Sequence, residues 1–234
     1  MILRMQTHEI KITFRSVISI AGLFVLMFST FGLNAQYGKW YRDTTFHEIE
    51  FKKICFQEGN ESLYAKGVLK EKTIIDGYPC YKQINMTKDG HVKFFILAED
   101  FEVAGNTFRR DTKVHFRSNR DFLIHCLYEP EIQGYMIKKE NYRRPFFMGS
   151  TNFQLYPDGK LKYFNPAEEL LIQDVWCKPS AVRGGIHLYH DSKLKECTSA
   201  REQLVQGVLV GKNFTLKFNK EGKLIVAEKE KVFK

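Results

Sequence analysis

From Gly67 onward, apolar and polar residues alternate in short runs separated by turn residues. In Phe153-Gln-Leu155-Tyr-Pro157-Asp158-Gly159-Lys-Leu161, apolar positions alternate on both sides of Pro-Asp-Gly. A period of two places those side chains on one face of a strand. Pro sets the first turn dihedral, and Gly accepts the positive φ that closes a hairpin. Asp89-Gly90, Asn119-Arg-Asp121 and Glu221-Gly222 stand at the same place in neighbouring segments. An earlier Ile/Val-x-Gly marker predicts a second, tighter reversal between two strands.

These markers recur in one order through five segments, 67–93, 94–124, 125–162, 163–195 and 196–226. The tight-turn marker (Gly77, Gly105, Gly134, Asp174, Gly207) is spaced by 28, 29, 40 and 33 residues, which describes a tandem array of period near 30 with one insertion. Two reversals per period predict strands of about five to seven residues. Outside Asn165–Leu171, no stretch of the array carries a helical period. The predicted fold is all-β, with tandem β-hairpin repeats forming an elongated meander or an open, solenoid-like sheet. Residues 36–66, with Trp40, Tyr41, Phe46, Phe51 and Phe56, are expected to cap one end, and the charged tail 227–234 to fray.

The first 35 residues follow a different pattern. Lys11 and Arg15 precede an apolar stretch from Val17 to Leu33, then Asn34-Ala35-Gln36. A basic n-region, an apolar h-region and a small residue at the cut describe a secretory signal cleaved after Ala35. The alternative is an uncleaved anchor, for which the stretch is just long enough. Export to a bacterial periplasm, outer surface or medium is the expectation. The chain carries net charge +9, and loss of Arg4, Glu9, Lys11 and Arg15 with the signal leaves +7. Export sets nucleic acid and nucleotides aside as partners of that charge, and an envelope protein, an anionic glycan or a lipid headgroup fits better.

All five cysteines lie beyond the signal, at 55, 80, 126, 177 and 197. An exported chain can form disulfides, but an odd number at these spacings matches no zinc site. Cys80 and Cys177 share one repeat position, and Cys126 and Cys197 are assigned to another. Matched small hydrophobes read first as core fillers, with disulfides the alternative.

Leu155-Tyr-Pro-Asp-Gly-Lys-Leu161-Lys and Leu188-Tyr-His-Asp-Ser-Lys-Leu194-Lys resemble the hairpin repeats of MORN-type bacterial proteins. The resemblance covers roughly 67–226. It departs from that family in its longer period and in lacking a Gly-x-Gly ending to each unit. It implies a scaffold or a membrane-associated interaction module, not an enzyme.

The insertion at 138–151 joins basic and aromatic residues, Lys138-Lys139-Glu-Asn-Tyr142-Arg143-Arg144-Pro-Phe146-Phe147-Met148. Exposed Phe-Phe-Met has a hydrophobic cost unless it packs or binds. Arg, Tyr and Phe are the composition of interaction hot spots, so Tyr142, Arg143, Arg144, Phe146 and Phe147 are the candidate binding residues. The alternative is that Phe146 to Met148 fold back over the array. His115 and His187 fall at equivalent positions, and alternation turns them away from the apolar face. Glu99-Asp100 and Glu168-Glu169 share a position that suits a turn better than a paired-carboxylate site. No catalytic residue, metal or cofactor is expected. A hydrolase would need His187, His190 or Cys177 brought to a carboxylate in a pocket.

Overall fold

A computed structural model describes residues 38–57, 64–117, 119–138, 153–179 and 185–229. The leader expected at 1–35 lies outside them, as do the five candidate residues Tyr142, Arg143, Arg144, Phe146 and Phe147. The described residues are all β, with no helix. None therefore forms a helix long and apolar enough to cross a membrane.

Three strands come first: β1 (Trp40–Phe46), β2 (Ile49–Phe56) and β3 (Ala65–Leu69). A fixed pair of hairpins then recurs five times, a minor one followed by a major one. The first repeat holds β4 (Thr73–Ile75), β5 (Tyr78–Met86) and β6 (Val92–Leu97), with the start of β5 serving the minor hairpin. The second holds β7 (Phe101–Val103), β8 (Asn106–Phe108), β9 (Lys113–Phe116) and β10 (Phe122–His125). The third holds β11 (Glu131–Ile132), β12 (Tyr135–Met136), β13 (Phe153–Leu155) and β14 (Leu161–Phe164). The fourth holds β15 (Leu170–Ile172), β16 (Val175–Cys177), β17 (Ile186–Leu188) and β18 (Leu194–Thr198). The fifth holds β19 (Gln203–Val205), β20 (Val208–Val210), β21 (Phe214–Phe218) and β22 (Leu224–Lys229).

The major hairpins and the first three strands form one 14-stranded antiparallel sheet, ordered β1-β2-β3-β5-β6-β9-β10-β13-β14-β17-β18-β21-β22, with β4 beside β5. It is a meander whose end strands, β1 and β22, do not pair with each other, so it is not a barrel. The remaining minor hairpins leave it as separate two-stranded ribbons. Minor strands span only two or three residues, shorter than the alternation predicts. Residues 165–169 form a bridge and a bend instead of a helical turn, because Pro166 pairs with Ile137 and the chain then enters β15.

The two turn types explain the markers. Each minor hairpin reverses through two consecutive residues of positive φ, such as Gln133 (52°) with Gly134 (81°) and Gln173 (48°) with Asp174 (64°). That is the mirror-image turn whose twist matches a hairpin, and it favours Gly at the second place. The major turns are longer. Tyr156 N–H donates to Lys160 O at 2.8 Å and Gly159 N–H to Tyr156 O at 2.9 Å, and the same two bonds close the turns at Thr87, Arg117, Tyr189 and Asn219. Their fourth residues (Gly90, Arg120, Gly159, Ser192, Gly222) all have positive φ, the three-residue loop with a following bulge.

One core lies between the minor hairpins and one face of the sheet. Ile75, Val103, Ile132, Ile172 and Val205 project from the minor turns into it. Met86, Leu155, Leu188 and Phe218 meet them from the sheet, with Val92, Phe122, Leu161 and Leu194 across each major turn. All five cysteines are buried free thiols. Cys80 and Cys177 do share a position, each closing a minor hairpin opposite its first residue. Cys126 and Cys197 do not: Cys197 pairs with Leu216 where the second repeat has Ile124. The hairpin of β17 and β18 carries a bulge beside its turn that β9 and β10 lack, so counting from the turn misplaces Cys126. Burial pushes the Cys80 thiol up to about 12. Cys177 is pushed higher by its hydrogen bond with Cys197 and then by burial.

Candidate functional site

The face of the sheet opposite the minor hairpins carries no second layer among the described residues, and one continuous cross-strand row runs along it. Asn85, Phe94, His115, Leu123, Gln154, Tyr163, His187, Glu196, Lys217 and Val226 each lie opposite the next. Alternation on every strand turns these side chains outward while their neighbours fill the core.

His115 and His187 are the equivalent pair that the sequence indicates, and both face outward. Each lies against an aromatic ring contributed by the preceding repeat. Phe94 and His115 have ring centroids 4.4 Å apart, Tyr163 and His187 4.6 Å. His125 stands 5.3 Å from His115. The stacked rings are half-sheltered: Phe94 is only 7% exposed although it faces outward. Gly185 permits one of these contacts, since a Cβ there would lie 2.7 Å from the Tyr163 ring and 2.3 Å from Phe164 O.

Electrostatics differ along the row. Burial holds the His187 imidazole below its ordinary value, as do Lys195 and Lys162 nearby, while Glu196 opposes them. Burial raises the Tyr163 phenol. Beside the row, Asp121 is buried and receives both Lys162 Nζ and Asn119 Nδ2. At the Asn85 end, the buried Oδ1 has no hydrogen-bond partner among the described residues.

Two of the groups suggested for hydrolysis meet a carboxylate, but neither does so in the depression the fold forms: His187 lies opposite Glu196 on the sheet face. His190 Nε2 lies 3.0 Å from Asp158 Oδ2, but the two belong to exposed turns of adjacent repeats. Cys177 is buried against Cys197 on the other side of the sheet. Glu99 pairs with Lys72, Asp100 Oδ1 caps Arg110 N–H at 2.8 Å, and Glu169 pairs with Arg201 at 3.1 Å, so the acidic pairs anchor the approach to a minor hairpin. An open depression of about 380 Å³ lies elsewhere, among His47, Asp76, Asp89 and His91 at the first major turn. Its groups are engaged locally, with His47 Nε2 at 3.0 Å from Lys88 O and Asp76 Oδ2 accepting Val92 N–H at 2.8 Å. Among the described residues, no three His, Cys, Asp or Glu groups are placed to hold a metal ion.

The predicted insertion has its anchors in the fold. Ile137 bridges Pro166, Lys138 N–H donates to Asn165 O at 2.8 Å, and the chain returns at buried Phe153. This is the connection from a minor to a major hairpin, which takes only residues 109–112 in the second repeat and 211–213 in the fifth. The fourth repeat also lengthens it, to 178–185, a smaller insertion that accounts for the 33-residue interval between Asp174 and Gly207. The Phe94 and Tyr163 partners of the histidines were hidden, because the marker pattern does not say which strands adjoin. No family model, curated protein or solved structure matches the chain.

Proposed function

We propose that this chain is an exported, non-enzymatic binding or structural module of the cell envelope, engaging a protein or an anionic surface through its open sheet face and the 138–151 insertion. The observation that carries this reading is the outward row Phe94, His115, Leu123, Gln154, Tyr163 and His187. Beside the buried Phe94 it presents the half-exposed rings of His115, Tyr163 and His187, with Leu123 and the Gln154 amide, on one sheet face, the form of a surface that recognises another surface. The net charge of +9 favours an acidic partner. The hairpin strings that resemble MORN-type repeats agree with a scaffold role. The insertion supplies Tyr142, Arg143, Arg144, Phe146 and Phe147, the basic and aromatic composition of an interaction hot spot.

The test is sedimentation of the purified chain with phosphatidylglycerol vesicles, phosphatidylcholine vesicles and insoluble peptidoglycan. Binding to an anionic probe should weaken by about tenfold or more when Tyr142, Arg143, Arg144 and Phe147 are replaced with Ala. The β-type circular dichroism should persist. Unchanged binding removes the insertion from the reading, and absence of binding to every probe removes the anionic surface.

A further inference from the structure

Among the described residues the sheet ends on two edge strands, β1 and β22, that are built differently. β1 has only exposed or half-exposed side chains, and Asp43 at φ 44° interrupts its ladder with β2. A kinked, charged edge resists strand addition. Among the described residues β22 pairs only with β21, and its Leu224 and Ala227 pack against the core while remaining part-exposed.

The fifth repeat also keeps the residues of an interior one. Val175 is 3% exposed in the fourth repeat, where Gln203 of the fifth binds the neighbouring Trp176 main chain. Val208, at the same place in the last repeat, is 48% exposed. The bulge residue beside the major turn is Lys162 in the third repeat and Lys195 in the fourth, but Ile225 in the fifth, 60% exposed. Terminal repeats normally turn polar because nothing covers them.

We propose that β22 joins β22 of a second copy in a symmetric antiparallel junction that makes the two sheets continuous. Register selects the geometry. Ser199 N–H donates to Phe214 O at 2.8 Å, so Cys197 opposite Leu216 is also a hydrogen-bonded pair across that junction. Ala227 stands where Cys197 stands, three residues beyond Leu224 as Cys197 is beyond Leu194, so its N–H and C=O face the open side. A dyad at Ala227 sets Ile225 opposite Lys229, and Val226 opposite Glu228, of the second copy, with no like charges facing. A dyad at Lys229 would oppose two lysines, and one at Ile225 would fall on the bulge.

A head-to-tail partner fits less well. Tyr156 Oη and Tyr189 Oη donate to Leu188 O and Phe218 O of the following repeat, at 3.0 and 2.8 Å. The last repeat has Asn219 there instead, whose Oδ1 accepts its own Lys223 N–H at 2.8 Å. The tether to a following repeat is thus gone, while the main-chain edge and its apolar flank remain.

Sedimentation velocity of the full chain across micromolar concentrations should show a monomer–dimer equilibrium. Ala227→Pro removes an outward N–H without touching the β21 ladder, and should give a monomer with unchanged circular dichroism. Ile225→Lys restores the residue type that interior repeats carry there, so it should fold and raise the dimer dissociation constant by about tenfold or more. A monomer at every concentration overturns the proposal, whether the edge is then open or closed by residues 230–234. So does an open-ended series of oligomers, or a dimer that both substitutions leave intact.

Discussion

The first two repeats and the last three share one backbone plan but hold their layers together by different means. In the third, fourth and fifth, the first residue of the minor turn is glutamine, and its amide grips the major hairpin behind it. Gln133 Oε1 accepts Leu161 N–H and its Nε2 donates to Gly159 O, at 3.2 and 3.0 Å. Gln173 does the same to Leu194 and Ser192, and Gln206 to Leu224 and Gly222. The first repeat has Asp76, an acceptor without a donor, which takes Val92 N–H and lies 3.6 Å from His91 Nδ1. The second has Ala104, which has no side-chain amide to offer. There, rings replace the clamp. Tyr78 packs on Phe95 at 4.8 Å, on Phe116 at 5.7 Å and on Phe101 at 6.1 Å, and Phe116 on Phe122 at 5.2 Å. A repeat therefore needs a device that sets the minor hairpin on the sheet, but not one particular device. Directed hydrogen bonds fix position, and interlocked rings fix volume.

The sharpest way to break this contrast is to remove a ring. Phe95 is fully buried, so Phe95→Ala should lower unfolding stability by about 3–5 kcal/mol, read from urea denaturation. A loss near that of an exposed substitution would show that the rings do not hold the first two repeats together. Removing a clamp should matter less, because it stands near solvent. Gln173→Ala should cost about 1–2 kcal/mol by leaving Leu194 N–H and Ser192 O unpaired. The reciprocal change, Ala104→Gln, places the clamp residue at a turn of matching φ and should raise stability by about 0.5–1 kcal/mol. Loss of stability in that variant would mean that the second repeat cannot use the device. Tyr189→Phe, which cuts one tether between the fourth and fifth repeats, should cost about 0.5–1.5 kcal/mol with unchanged circular dichroism.

The smallest effect concerns pH. His187 is held below its ordinary value in the folded chain, mainly by burial, so the unfolded chain binds the proton more readily. Stability from this group is present above the ordinary histidine range near pH 6.5 and is lost as pH falls through it toward the lower folded value. Urea midpoints measured between neutral and mildly acidic pH should fall for the wild type and fall less for His187→Gln. Equal slopes would place the pH dependence elsewhere.

Much of the architecture is written locally. Pro157-Asp158-Gly159 and the Ile-Gln-Gly and Ile-Gln-Asp turns are legible because each requires particular φ values, and alternation tells inward from outward at His115 and His187. The partners of those histidines were not legible, since Phe94 and Tyr163 meet them only across strand pairs from adjoining repeats. The exchange of positions between Cys197 and Ile124 was hidden for a related reason, as a bulge moves the register without marking the sequence.

The sequence by itself determined that the chain is β, that it turns twice in each repeat, and which side chains face inward, because dihedral preference and period two are properties of short segments. Only the tertiary structure decided that the major hairpin of each pair enters the long sheet and that, from the second repeat on, the minor one leaves to cover it. Both hairpins carry the same alternation. What separates them is strand length, the bulge beside four of the five major turns, and the side chain, glutamine or ring, that fixes one layer on the other.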